Sequence, residues 1–128
     1  MSRHVRVSFV VGMMIVAGMF LPRMVATREK ARELRVVARN MTYYVEGAEG
    51  PNPALLFAPG EYVRITFRND DKGMSHDFVI PAWNVGTGVV GWSTEKSITF
   101  RVPQNVVAVG YVCTPHSVMM SGRITIAK

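Results

Sequence analysis

The sequence predicts an all-β domain, a Greek-key β-sandwich, preceded by one apolar N-terminal helix. Three observations lead there. Short alternating runs recur after residue 36, as in Tyr62–Arg68, where Val63, Ile65 and Phe67 share one face and Arg64, Thr66 and Arg68 the other. Turn residues separate such runs at Gly50–Pro53, Pro59–Gly60, Asn69–Gly73 and Pro103–Asn105. No helical period is sustained after residue 36, whereas Val7–Leu21 is fifteen residues without a charge.

In the first segment, Arg3, His4 and Arg6 precede the apolar run, and Pro22 and Arg23 follow it. As a membrane anchor the run is short of the ~20 residues of a spanning helix, although Met24–Ala26 extends it. As a signal peptide it has the basic start and an apolar stretch of the usual ~7–15 residues, but Met24-Val25-Ala26 is a poor cleavage site. A buried core helix fits poorly with a basic start at residue 3. Residues 1–26 are therefore expected as an anchor or signal peptide, 27–35 as a charged linker or helical extension, and 36–128 as the folded domain. Either reading exports the domain to the extracytoplasmic side, periplasmic or cell-surface, with membrane attachment through the N-terminal helix if it is retained.

Further strands follow from the same alternation. Ile98, Phe100 and Val102 face inward in Ser97–Val102, and Ile124 and Ile126 alternate with Arg123 and Thr125. The apolar stretches Leu34–Tyr44, Ala54–Phe57, Asp77–Ile80 and Val106–Cys113 bring the total to seven or eight short strands, the pattern of a sandwich. Pro81–Trp92, with Gly86, Gly88 and Gly91, carries no readable pattern.

Composition narrows the function. One Cys in 128 residues excludes an intramolecular disulfide and any zinc module built on several cysteines. The net charge of +6 invites a nucleic-acid partner, yet residues 1–35 hold 7 basic and 2 acidic groups, leaving 8 and 7 for the rest. The basicity belongs to the N-terminal segment, and nucleic acid drops out as a partner.

The chemistry concentrates in Tyr111–Gly122, where Cys113, His116, Met119 and Met120 fall within eight residues. His76 follows the loop Asp70–Ser75 and is the only other histidine after residue 36. Two imidazoles, one thiolate and a weak axial thioether make the donor set of a mononuclear copper electron-transfer site. Thiolate and thioether favour Cu(I), while imidazoles also suit Cu(II), so such a site accepts both states with little rearrangement. Zinc is a poorer fit, because a thioether is a poor zinc ligand and no fourth hard ligand is evident. A nucleophilic Cys113–His116 pair lacks an orienting third group and an oxyanion site.

These residues resemble the cupredoxins, the blue copper family of plastocyanin, azurin and amicyanin. Cys113-Thr114-Pro115-His116 is similar to the family's copper loop, and His116-Ser117-x-x-Met120-x-Gly122 to its far end. Phe57–Gly60, Val63–Asn69 and His76–Ile80 resemble the stretch leading to the family's first histidine. The resemblance covers roughly residues 35–128. It implies one copper ion held by His76, Cys113 and His116, with Met120 axial because it keeps the Met-x-Gly frame, and Met119 as the alternative. It also implies an electron carrier, not an enzyme, serving redox partner proteins or a membrane respiratory or photosynthetic complex. His116 would be the electron port, with Val118, Met119 and the Pro81–Val90 loop around it.

Asp77 stands where the family usually has Asn; its carboxylate is expected to bond Thr114, and its backbone N–H to reach the Cys113 sulfur. Pro115 has no N–H, so a second sulfur hydrogen bond is expected to be missing. A weaker likeness, from His76 through Thr87 and the N-terminal anchor, is to subunit II of haem–copper oxidases, whose dinuclear copper site a single Cys excludes. Two other functions remain open from the sequence: a copper-handling protein that passes Cu(I) without redox work, favoured by the Met pair and Met74, and a catalytic copper domain with an open position.

Overall fold

The computed structural model describes residues 28–128. The apolar segment expected as an N-terminal helix lies outside them. Among the described residues no helix is long and apolar enough to cross a membrane.

Nine strands form two facing sheets. The first contains β1 (Arg32–Arg39), β2 (Thr42–Val45), β4 (Tyr62–Asn69) and β7 (Glu95–Arg101), in the order β2-β1-β4-β7. The second contains β3 (Leu55–Phe57), β5 (Val79–Ile80), β6 (Val85–Gly86), β8 (Val109–Val112) and β9 (Ser121–Ile126), in the order β3-β9-β8-β5-β6. Both sheets are mixed, because β1 runs parallel to β4 and β3 parallel to β9.

Alternation explains the inner faces. Val63, Ile65 and Phe67 are fully buried, as β4 requires, and they meet Val36 and Ala38 of β1 and Leu55, Phe57, Tyr111 and Ile124 of the other sheet in one core. Aromatic rings join the sheets: Tyr43 lies 5.5 Å from both Phe78 and Tyr111, and Phe57 lies 6.2 Å from Phe100. The second sheet is close-fitting at Gly122. A Cβ there would fall 2.1 Å from the Tyr111 ring, whose hydroxyl donates to the Pro53 carbonyl at 2.7 Å.

Two boundaries differ from expectation. β1 begins at Arg32, inside the charged stretch 27–35, because its first residues face solvent and find partners: Arg32 bonds Glu61, and Glu33 pairs with Arg64. The stretch Leu34–Tyr44 is a hairpin, not one strand. Asn40 and Met41 both take positive φ, 50° and 58°, the geometry of a two-residue turn that usually calls for Gly. The Asp71 carboxylate accepts the backbone N–H of both, which compensates for the missing Gly.

β1 and β4 also orient the molecule. Arg32 pairs with Val63 at one end and Ala38 with Asn69 at the other. His76 follows Asn69, so the chain enters β1 at the end of the sandwich away from it.

Candidate metal centre

The end of the sandwich near Asn69 gathers the sequence-predicted ligands from two segments. After β8 the chain stays extended at Cys113 and then turns through a short 3-10 stretch, Thr114–His116, with Pro115 suited to its first turn. The Cys113 N–H donates to the Met120 carbonyl at 2.9 Å and the Met120 N–H to the His116 carbonyl at 2.9 Å, closing the loop at its neck. His76 is held on the opposite side by a bridge to Val90, whose N–H donates to the His76 carbonyl at 2.7 Å.

Three side chains converge. His76 Nδ1 is 3.1 Å from His116 Nδ1, and the Cys113 sulfur is 3.6 Å from each. A triangle with these edges has its centre about 2.0 Å from every corner, close to the ~2.0–2.1 Å and ~2.3 Å bonds that a metal ion such as zinc makes to imidazole and thiolate. The three atoms therefore fit one first-row metal ion without rearrangement. Among the described residues no carboxylate joins the cluster. A soft sulfur beside two imidazoles selects copper over hard cations. Cys113 and His76 are fully buried, and His116 is half-buried.

The surroundings orient these donors. Asp77 Oδ1 accepts the Thr114 N–H at 2.6 Å, the expected tie between the two ligand segments. Burial pushes the Cys113 thiol up, and the Asp77 carboxylate adds to this; backbone N–H groups of Asp77 and His116 act on the sulfur in the opposite direction. The His116 N–H itself donates to the Cys113 carbonyl at 3.2 Å, and no backbone N–H takes the place of the one that Pro115 lacks among the sulfur's hydrogen bonds in the described residues. Tyr43, buried beneath the loop, donates its hydroxyl to the Asp77 carbonyl, and burial holds its phenol far above the ordinary range.

Met120 is fully buried, whereas Met119 is 53% exposed and Val118 95%. Pro115, His116, Ser117, Val118 and Met119 line a shallow hollow on the surface. The Pro81–Val90 segment takes no part in its lining; Pro81 and Ala82 instead line a separate hollow with Tyr111 and Gly122.

No protein-family model and no curated protein matches the sequence. Solved structures do match the fold. Rusticyanin from Thiobacillus ferrooxidans superposes with a TM-score of 0.57 at 24% identity, over 78% of this chain and 79% of that one. Auracyanin A, a blue copper protein from the green thermophilic photosynthetic bacterium Chloroflexus aurantiacus, gives 0.60 at 14% identity, over 77% of this chain and 100% of that one. Reduced auracyanin from the photosynthetic bacterium Roseiflexus castenholzii gives 0.60 at 19%, with the same coverage. The fold is the cupredoxin fold.

The structure carries two features that the residue pattern did not single out. Asp71, read only as part of a turn, accepts the Nε2–H of His76 at 2.9 Å. Burial alone would raise its carboxyl, but the N–H groups of Met41, Asn40 and His76 outweigh this and hold it below the usual carboxylate range. Asn52 donates to the Met119 carbonyl at 3.0 Å and accepts from the Tyr43 N–H at 3.0 Å, clamping the metal loop to β2. Neither signal was readable in isolation, since Asp and Asn are ordinary turn residues. The likeness to haem–copper oxidase subunit II finds no counterpart among these structures.

Proposed function

We propose that the chain is a mononuclear blue copper electron carrier, on the extracytoplasmic side of a membrane, with His76, Cys113, His116 and Met120 holding one copper ion. The observation that carries this reading is the convergence of two imidazole Nδ1 edges and one sulfur, 3.1 and 3.6 Å apart, under a closed loop. A bound copper ion would supply the one-electron Cu(II)/Cu(I) chemistry by which the protein would relay an electron from a donor protein to an acceptor. The protein's part is to hold its donors still, so that little rearrangement accompanies the electron. The backbone bond between Cys113 and Met120 fixes the loop, and the bridge to Val90 fixes His76. The complete burial of Met120, against the exposure of Met119, supports Met120 as the axial donor.

His116 reaches the surface among uncharged residues and is the proposed port for redox partner proteins or a membrane complex. The chain enters β1 at the end of the sandwich away from the metal loop. Val63 to Asn69 spans about 20 Å of strand, so an anchor in residues 1–26 would leave the port pointing away from the membrane. Copper handling without redox work needs an open site, and the full burial of His76, Cys113 and Met120 weighs against it.

The test is the visible spectrum of the full-length protein with one equivalent of Cu(II), beside that of Cys113→Ser. An intense blue colour that is lost with the thiol supports the reading. A colourless protein that binds Cu(I) tightly would transfer it to copper handling, and no copper binding at all would end it.

A further inference from the structure

The two imidazoles of the site differ at their outer edges. His76 Nε2 faces the Asp71 carboxylate at 2.9 Å, while among the described residues nothing bonds the outer edge of His116. A carboxylate only accepts hydrogen bonds, so His76 Nε2 must carry the proton and Nδ1 must be bare, aimed at Cys113 and His116. In the metal-free protein the 3.1 Å contact between the two Nδ1 atoms then has His116 as the donor.

Asp71 itself has little freedom. Its Oδ2 also accepts the Met41 N–H at 2.9 Å, its Oδ1 accepts the Asn40 N–H, and its own N–H donates to Asn69 Oδ1 at 2.9 Å. Asn69 in turn bonds the Val90 carbonyl at 2.9 Å, and Val90 is the residue that bridges His76. Only 11% of the Asp71 side chain is exposed, so its charge acts in poorly screened surroundings.

The geometry points to Asp71 as a positioning residue that fixes the His76 tautomer and lowers the reduction potential through that ring. This rests on the copper reading above. An anion on the outer edge of a ligand imidazole raises its basicity and favours the more positive oxidation state, Cu(II). No bond breaks and no proton moves; the carboxylate acts by its charge and its fixed position.

The test is Asp71→Asn in the full-length protein, with a near-isosteric amide and no charge. We expect the ratio of Cu(II) to Cu(I) affinity to fall about tenfold, a rise in potential of about 59 mV for a one-electron couple. Asp71 also supports the strained turn at Asn40 and Met41, so a second variant separates the two roles. Met41→Gly relieves the left-handed backbone, and Asp71→Asn in that background leaves the turn intact without the carboxylate. A raised potential in the double variant upholds the inference, and a wild-type potential there overturns it. A third readout needs no copper. Nitrogen NMR of the metal-free wild type should show His76 protonated at Nε2 and bare at Nδ1, and a proton on Nδ1 would overturn the inference even if every variant misfolded. A wild type that takes up no copper would defeat the copper reading while leaving this NMR result to stand or fall alone.

Discussion

His76 and His116 offer the same imidazole nitrogen to the same point, yet they belong to different parts of the molecule. His76 is buried, bridged to Val90 and bonded to Asp71, so its ring is fixed by the sandwich. His116 stands on the short turn after β8, with its ring at a surface hollow and no partner of that kind among the described residues. The difference separates two tasks that one ligand cannot perform well together. A buried, anchored ring keeps the geometry constant, and on the proposed copper reading a ring at the surface would let an electron in and out.

The sharpest way to break this comparison is to remove each ring from the metal-free protein. His76→Ala opens a cavity at a fully buried position and takes from Asp71 one of its hydrogen-bond donors. We expect a loss of about 1–3 kcal/mol in chemical denaturation. His116→Ala, at a hollow that water can fill, should stay within about 0.5 kcal/mol of wild type. Equal losses would mean that the anchoring of His76 contributes nothing to the fold.

Cys113 belongs with His76 on the buried side, and acid tests this. Burial raises its thiol, so the metal-free protein holds the proton across neutral pH. Copper binds the thiolate and must displace that proton, so binding strengthens as pH rises and weakens as it falls. Between pH 7 and 8 the Cu(I) affinity should change about tenfold, read by competition with a chelator of known affinity. A flat profile would show that the thiol is already ionised and that the burial argument is wrong.

The contrast between anchored and exposed regions also governs what could be read from the sequence. β4 was legible because Val63, Ile65 and Phe67 alternate with more exposed residues, and β9 because Ile124 is buried between Arg123 and Thr125. The clustering of His76, Cys113 and His116 was legible because the only Cys and both described histidines lie in it. The start of β1 was not, because Arg32–Arg35 owe their strand to pairing with β4 and to charges on partner strands, which no local pattern records. The hairpin at Asn40–Met41 was hidden for a related reason. Its turn lacks Gly and is held by Asp71, thirty residues away in the chain. That same carboxylate reaches His76, so the missed turn and the missed partner of the metal ligand share one cause.

Asp77 allows a finer comparison, between two carboxylates near one site. Asp71 acts on the outer edge of an imidazole, whereas Asp77 holds the Thr114 N–H and leaves its own backbone N–H near the sulfur. Asp77→Asn keeps an acceptor for Thr114 and removes the charge. The potential should rise, by less than the Asp71→Asn variant, because Asp77 bonds a backbone amide and not a ligand ring. Voltammetry of the two variants side by side reads the order, and no rise for Asp77→Asn would remove its charge from the account.

The smallest expected effect concerns the exposed side of the comparison. The hollow around His116 is lined by Pro115, Ser117, Val118 and Met119, none of which is charged. Residues 36–128 carry 8 basic and 7 acidic groups, so the domain as a whole has little net field to steer a partner. Docking through such a port depends on apolar contact, which salt screens little. Electron-transfer rates with a physiological partner should therefore change less than about threefold between low and high salt, where steered pairs lose tenfold or more. A steep loss with salt would relocate the docking surface away from His116 and toward the paired arginines Arg39 and Arg68 on the first sheet. The buried ligand would keep its role in that case, and only the port would move.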